Sequence, residues 1–180
     1  SEGLYFYIAT TANEGSELWR SDGTESGTFL VKDIDPDNAN EHKVNDIFPF
    51  NGGVLFGADD GVNGKEPWFT DGTEAGTFML ADIELGALSS IVLGNWAEIN
   101  GKVVFTAFYE QSGQELFVTD GTTAGTTLLK EISVGAFSNS GVVGTGYGAG
   151  FFPFNNELYF LGDDFTNGFE LWKTDGTTAG

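Results

Sequence analysis

Two loops of this chain gather the residue types that hold a hard cation. Asp59-Asp60-Gly61-Val62-Asn63-Gly64-Lys65-Glu66 and Asp163-Asp164-Phe165-Thr166-Asn167-Gly168-Phe169-Glu170 share the pattern Asp-Asp-x-x-Asn-Gly-x-Glu. Carboxylate and amide oxygens clustered about an Asn-Gly turn are the ligands Ca²⁺ prefers. Asp59, Asp60, Asn63, Glu66, Asp163, Asp164, Asn167 and Glu170 are therefore the candidate metal ligands, and Ca²⁺ is the candidate cofactor. The pattern lacks the Asp-x-Asp-x-Asp-Gly spacing with a distant bidentate Glu, and its counterparts at Thr10–Glu17 and Phe108–Glu115 lack the paired aspartates. The competing reading is a polar hairpin loop turned by Asn-Gly.

A second set of carboxylates, Asp22, Asp71, Asp120 and Asp175, stands in four copies of Asp-Gly-Thr. An Asp here can accept N–H bonds across its own turn, Gly supplies a positive φ, and Thr adds a hydroxyl contact. The same use in every copy points to structural turns, with metal or ligand contact as the alternative. Trp19, Trp68, Phe117 and Trp172 lie just upstream. They could stack on sugars, but mid-strand aromatics in a repeat serve packing first. His42 is the only histidine, so a Ser–His–Asp triad would have to use it, and no nucleophile motif lies near it. Paired carboxylates for glycoside hydrolysis are numerous but unselected by any pattern. The glycine-rich stretch 141–150 precedes no helix and reads as an inserted loop rather than a nucleotide cradle. No catalytic residue is assigned.

Composition narrows the partners. The 27 Asp and Glu residues against seven Lys and Arg give a net charge of −20. Such a surface repels nucleic acid and anionic lipid and attracts cations. No run of 18 apolar residues is present, so no membrane insertion is expected. The absence of cysteine removes disulfides, thiolate metal sites and cysteine nucleophiles. With 40% hydrophobic and 14% aromatic residues, and 27 Gly, the chain is suited to short strands between tight turns.

These residues recur on a rhythm. The Asp-Gly steps at Asp22, Asp71, Asp120 and Asp175 are 49, 49 and 55 residues apart. Within each unit an apolar run, an Asn turn and a second apolar run follow one another, as in Phe48-Pro49-Phe50, Asn51-Gly52 and Val54-Leu55-Phe56. Asn-Gly tolerates positive φ at both central positions of a hairpin turn. Next come a variable loop, the strand bearing the Glu and the aromatic, the Asp-Gly-Thr turn, and a fourth apolar strand at Thr28–Ile34, Thr77–Ile83 and Thr126–Ile132. The predicted class is all-β: a β-propeller-like array of four-stranded antiparallel blades. One repeat domain spans 1–180, with blades at 1–34 (partial), 44–83, 91–132 and 150–180 (partial). The phase leaves incomplete blades at both ends, so the chain reads as an incomplete segment of a larger propeller that needs further blades or other chains. Pro67, in place of Leu, is expected to weaken its strand.

The phrase Glu-Leu-Trp-x-x-Asp-Gly-Thr-x-x-Gly-Thr, close to complete at Glu17–Thr28 and Glu66–Thr77, resembles the ELWxxDGT repeat family of bacterial surface-exposed or secreted proteins. Phe117 replaces Trp in the third copy, and the fourth runs from Glu170 to Gly180. The endings Lys32-Asp33-Ile34, Ala81-Asp82-Ile83 and Lys130-Glu131-Ile132 fit the same pattern. The resemblance implies a propeller-like repeat and carries no chemistry to transfer.

The functional expectation is a non-catalytic extracellular or cell-surface scaffold of bacterial type that mediates binding or adhesion to a protein or glycan partner. The alternatives are a Ca²⁺-dependent carbohydrate-binding module and a glycosidase-like propeller enzyme.

Overall fold

Three turns set the register of this protein. Asn51 and Gly52 take φ values of 47° and 77°, Asn100 and Gly101 take 51° and 73°, and Asn155 and Asn156 take 50° and 59°. Two consecutive residues of positive φ make the hairpin turn whose twist matches its flanking strands. Phe50 accordingly pairs with Gly53, Ile99 with Lys102, and Phe154 with Glu157.

The computed structural model describes residues 3–36, 44–91, 95–109, 113–132, 150–164 and 166–180. His42, Phe165 and positions 141–149 of the glycine-rich stretch lie outside the described residues. The fold is all-β, with four antiparallel sheets and no helix among the described residues. Each sheet is a meander whose neighbours in space are neighbours in sequence. The first holds β1 (Tyr5–Thr11), β2 (Gly15–Ser21) and β3 (Phe29–Leu30), and the second β4 (Val44–Phe50), β5 (Gly53–Asp59), β6 (Lys65–Thr70) and β7 (Phe78–Met79). The third holds β8 (Trp96–Ile99), β9 (Lys102–Phe108), β10 (Gln114–Thr119) and β11 (Thr127–Lys130), and the fourth β12 (Phe152–Phe154), β13 (Glu157–Asp163) and β14 (Phe169–Thr174).

The fourth strand of each unit is much shorter than its apolar run suggests: two residues in β3 and β7 and four in β11. The ladder runs one bond further in the first two sheets, through Val31 N–H to Leu18 O (3.0 Å) and Leu80 N–H to Pro67 O (2.8 Å). Beyond it the chain leaves the sheet, because in the second and third units a buried glutamate captures the amide of the isoleucine that ends the run. Pro67 does not disrupt β6. Its carbonyl points to the β7 side, so its missing N–H lies on that side too, where the ladder is already ending, and pairing with β5 continues on both sides of the Pro67–Gly57 pair.

Although the repeat reads as one domain over 1–180, the sheets group into two compact units, Ser1–Ser90 and Ile91–Gly180. In the first unit Val54, Phe56 and Trp68 of the second sheet pack on Leu18 and Val31 of the first. In the second unit Leu158 and Phe160, with Trp172 beside them, pack on Val104, Leu116 and Val118. Both contacts have the same sense. In each, the face that carries two aromatics of its sheet (Phe56 and Trp68 with Met79 beside them, or Phe160 and Trp172) lies against the opposite face of the preceding sheet. Phe56 and Phe105 are fully buried, and burying such a ring stabilises the fold by about 1.5–3 kcal/mol.

Candidate functional site

Each Asp-Gly-Thr turn closes on itself. In the second copy, Asp71 Oδ1 accepts bonds from Thr73 N–H (2.8 Å) and Thr73 Oγ1–H (2.7 Å), while Thr73 Oγ1 accepts from Gly76 N–H (3.0 Å). Thr77 Oγ1–H then donates to Thr73 O (2.6 Å). Thr70 Oγ1 meets Thr77 Oγ1 at 2.6 Å and accepts from Gly72 N–H at 2.9 Å. Asp22, Asp120 and Asp175 accept the same two bonds from Thr24, Thr122 and Thr177. These hydrogen bonds, led by the threonine hydroxyl, hold all four aspartates below the ordinary carboxylate pKa.

Two glycines per turn are required, for different reasons. Gly72 has φ of 91°, where a side chain would strain the backbone. Gly76 makes room for the carboxylate: a Cβ built there would lie 2.2 Å from Asp71 Oδ1, and Gly27, Gly125 and Gly180 face their own aspartates at 2.0 Å. The hydroxyl residue before each Asp (Ser21, Thr70, Thr119 or Thr174) and the closing Thr escaped the sequence reading. Their constant spacing of seven, from Ser21 to Thr28 and from Thr70 to Thr77, was the available signal.

The repeated glutamates are interior. Glu17, Glu66 and Glu115 are at most 1% exposed. Glu66 accepts from Ile83 N–H (2.9 Å), Ser90 N–H (3.2 Å) and Ser90 Oγ–H (2.5 Å), and Glu115 accepts from Ile132 N–H (2.5 Å). Burial pushes Glu66 up to about 7 in spite of these donors. Burial likewise pushes Glu17 to about 7, with Asp33 and Asp35 adding like charge. The nearby amides of Ile34 and Asp35 lower it without reaching hydrogen-bond geometry. The spacing from Glu to Ile is 17 residues in all three units, a signal the sequence reading left unused. Glu170 is exposed.

The two Asp-Asp loops connect β5 to β6 and β13 to β14. Asp59 Oδ1 accepts from Gly61 N–H (2.8 Å), Asp60 Oδ1 from Val62 and Asn63 N–H (3.0 and 2.8 Å), and Asp60 Oδ2 from Asn63 Nδ2 (2.8 Å). Asp164 repeats the Asp60 arrangement with Thr166 and Asn167 at 2.9, 2.9 and 3.0 Å. Burial opposes ionisation of Asp60, but the Asn63 and Val62 bonds outweigh it and its pKa is lowered. That of Asp164 is lowered chiefly by the Asn167 amide. Asp60 pairs with Asn63, and Asp164 with Asn167, while Glu66 turns instead to Ile83 and Ser90. Among the described residues no three Asp, Glu or His side chains are grouped to hold a metal ion. Gly64 lies so close to Leu88 O that a Cβ would stand 2.2 Å from it, whereas Gly168 has open space.

Of the aromatics, Trp68 and Phe117 are buried, and Trp68 Nε1–H donates to Ala58 O at 3.1 Å. Trp19 and Trp172 are half-buried. The second unit has a cavity of about 520 Å³ beside β14, lined by Leu129, Ile132, Phe160 and Trp172 among others. Its lining is mainly apolar, with Lys130, Glu170 and Lys173 as its charged members.

Comparison of the sequence with family models and with curated proteins finds no match. Among solved structures, the chain is similar to a puromycin hydrolase mutant complexed with PGG, with a TM-score of 0.57 and 14% identity over 97% of this chain and 26% of that one. It is also similar to TolB from Acinetobacter baumannii, with a TM-score of 0.50 and 12% identity over 97% of this chain and 39% of that one. This chain thus spans well under half of either protein. At these identities the likeness concerns the fold alone, and TolB is propeller-like.

Proposed function

We propose that this chain is a non-catalytic repeat scaffold of the ELWxxDGT type, bacterial and external to the cell, whose sheets are blades of a β-propeller-like array. Its loops are presented to a protein or glycan partner. One observation carries this reading: the aspartates and threonines of Asp-Gly-Thr, which recur in every repeat, are engaged in building it. The aspartates and threonines close turns, and the buried glutamates lie where an outer strand ends. The likeness to a propeller-like structure supports the blade reading. The strong negative charge favours soluble display and disfavours nucleic acid as a partner.

The test combines a glycan array with alanine substitutions at the exposed loop positions Val62 and Thr166. The reading expects binding that falls at least tenfold when a loop is changed while the melting temperature holds. Turnover of a glycan or ester substrate, abolished by one carboxylate substitution, would overturn it. A melting temperature that rises with Ca²⁺ and falls back with chelator would turn the reading to the calcium-dependent module.

A further inference from the structure

We propose that Glu17 is a proton-operated latch: its buried carboxyl holds the segment Val31–Asp35 on the first sheet while protonated and releases that segment when ionised. Glu17 is 1% exposed, and neither of its oxygens has a hydrogen-bond partner. A charged carboxylate without donors in a dry interior is so costly that the group takes up a proton instead. Among the described residues the charged groups that face it are Asp33 and Asp35, both acidic and both on the segment it holds. Asp35 is itself buried, while Asp33 Oδ1 is buried without a partner and Asp33 faces Glu14 in turn. Lys32, between them, is turned away: its ammonium donates to Thr77 O (3.1 Å) and lies over the Trp68 ring. Opposite Glu17 in the ladder, β1 supplies Ala9. Three carboxyls thus share one interior place, and a single proton bound there relieves the worst of their repulsion.

The second sheet shows the other solution. Glu66 accepts from Ile83 N–H, Ser90 N–H and Ser90 Oγ–H, donors that follow it by 17 and 24 residues. At the same spacings after Glu17 the sequence has Ile34 and Glu41. The Ile34 amide is near but outside hydrogen-bond geometry, and Glu41, which lies outside the described residues, is an acid where the second unit has a serine. Release of the segment has a large local effect. Val31 and Ile34 pack with Leu18, Phe56 and Trp68 in the core of the first unit, and Val31 N–H bonds Leu18 O. Burial, with Asp33 and Asp35 adding like charge, pushes Glu17 to about 7 from an ordinary 4.5. The latch is therefore fully shut below pH 4.5 and opens as pH rises through 7.

Hydrogen exchange read by mass spectrometry on the full chain, corrected for intrinsic exchange rates, tests this at pH 6 and pH 8. Wild type is expected to lose about tenfold in protection over Phe29–Asp35 across that interval, as one linked proton allows, while β5 keeps its protection. Glu17→Gln, which stays neutral, should reduce the loss to about twofold or less. Glu66→Gln, the control, should leave it in place. Asp33→Asn removes a like charge and is expected to move the midpoint of the loss to lower pH. Circular dichroism checks folding, and should Glu17→Gln fail to fold, the Asp33→Asn shift decides the matter. Protection over Phe29–Asp35 that stays level in wild type would overturn the proposal. So would a loss undiminished in Glu17→Gln, a loss shared equally by β5, or a midpoint that Asp33→Asn leaves unmoved.

Discussion

Asp71 and Gly76 depend on each other. The carboxylate sits where any Cβ at position 76 would stand, and in return it fixes the threonine whose hydroxyl holds the Gly76 amide. Gly76→Ala is expected to cost about 1–3 kcal/mol, the value of displacing a hydrogen-bonded polar group. In an Asp71→Ala background the same substitution should cost far less. Urea denaturation of the four proteins of that double-mutant cycle measures the coupling. Glu66 gives a pH prediction. Its folded pKa is about 7 against an ordinary value of 4.5, so the folded state holds the proton more tightly than the unfolded chain. The stability this contributes is full below pH 4.5 and is lost as pH rises toward 7. Glu66→Gln imitates the protonated form, so the decline between pH 5 and 8 should be shallower in the variant than in wild type, as read by denaturation midpoints at both pH values.

At the scale of elements, the two-residue turns and the buried aromatic pairs divide the labour. The turns choose the register, and the aromatics hold one sheet on the next. Asn51 has φ of 47°, and replacing it with a β-branched residue such as Val is expected to cost about 1–2 kcal/mol. Thermal unfolding of Asn51→Val against Asn51→Gly separates that strain from loss of the side chain, since Gly accepts the same φ freely. Phe105 is fully buried, stacked 4.8 Å from Trp96 and 5.8 Å from Phe117. Phe105→Ala should lower stability by about 3–5 kcal/mol through lost burial and the cavity left behind. An effect below 1 kcal/mol in urea titration would show that the site collapses around the gap.

For the whole molecule, charge is the dominant variable. A net charge of −20 on 180 residues repels itself in the folded state more than in the expanded chain. The melting temperature is therefore expected to rise by several degrees between 20 and 500 mM NaCl, as measured by calorimetry at fixed pH. Ca²⁺ beyond its ionic-strength effect should add nothing if Asp60 and Asp164 serve only their own turns, and comparison with Mg²⁺ at equal ionic strength decides this.

Much of this was legible in the residues. Asn-Gly dictated two-residue hairpins, and the tandem phrase dictated a repeated antiparallel unit, because positive φ and period-two side-chain alternation are local properties. The tight self-bonding of Asp-Gly-Thr was also readable, since its partners lie within seven residues. The sequence did not reveal how early the fourth strand ends, or that Glu66 is buried beneath Ile83 and Ser90. Those outcomes depend on groups 17 and 24 residues away meeting in a dry interior. Only the tertiary structure decides which of two equally apolar strand faces finds a neighbour, because that choice rests on the stacking of whole sheets.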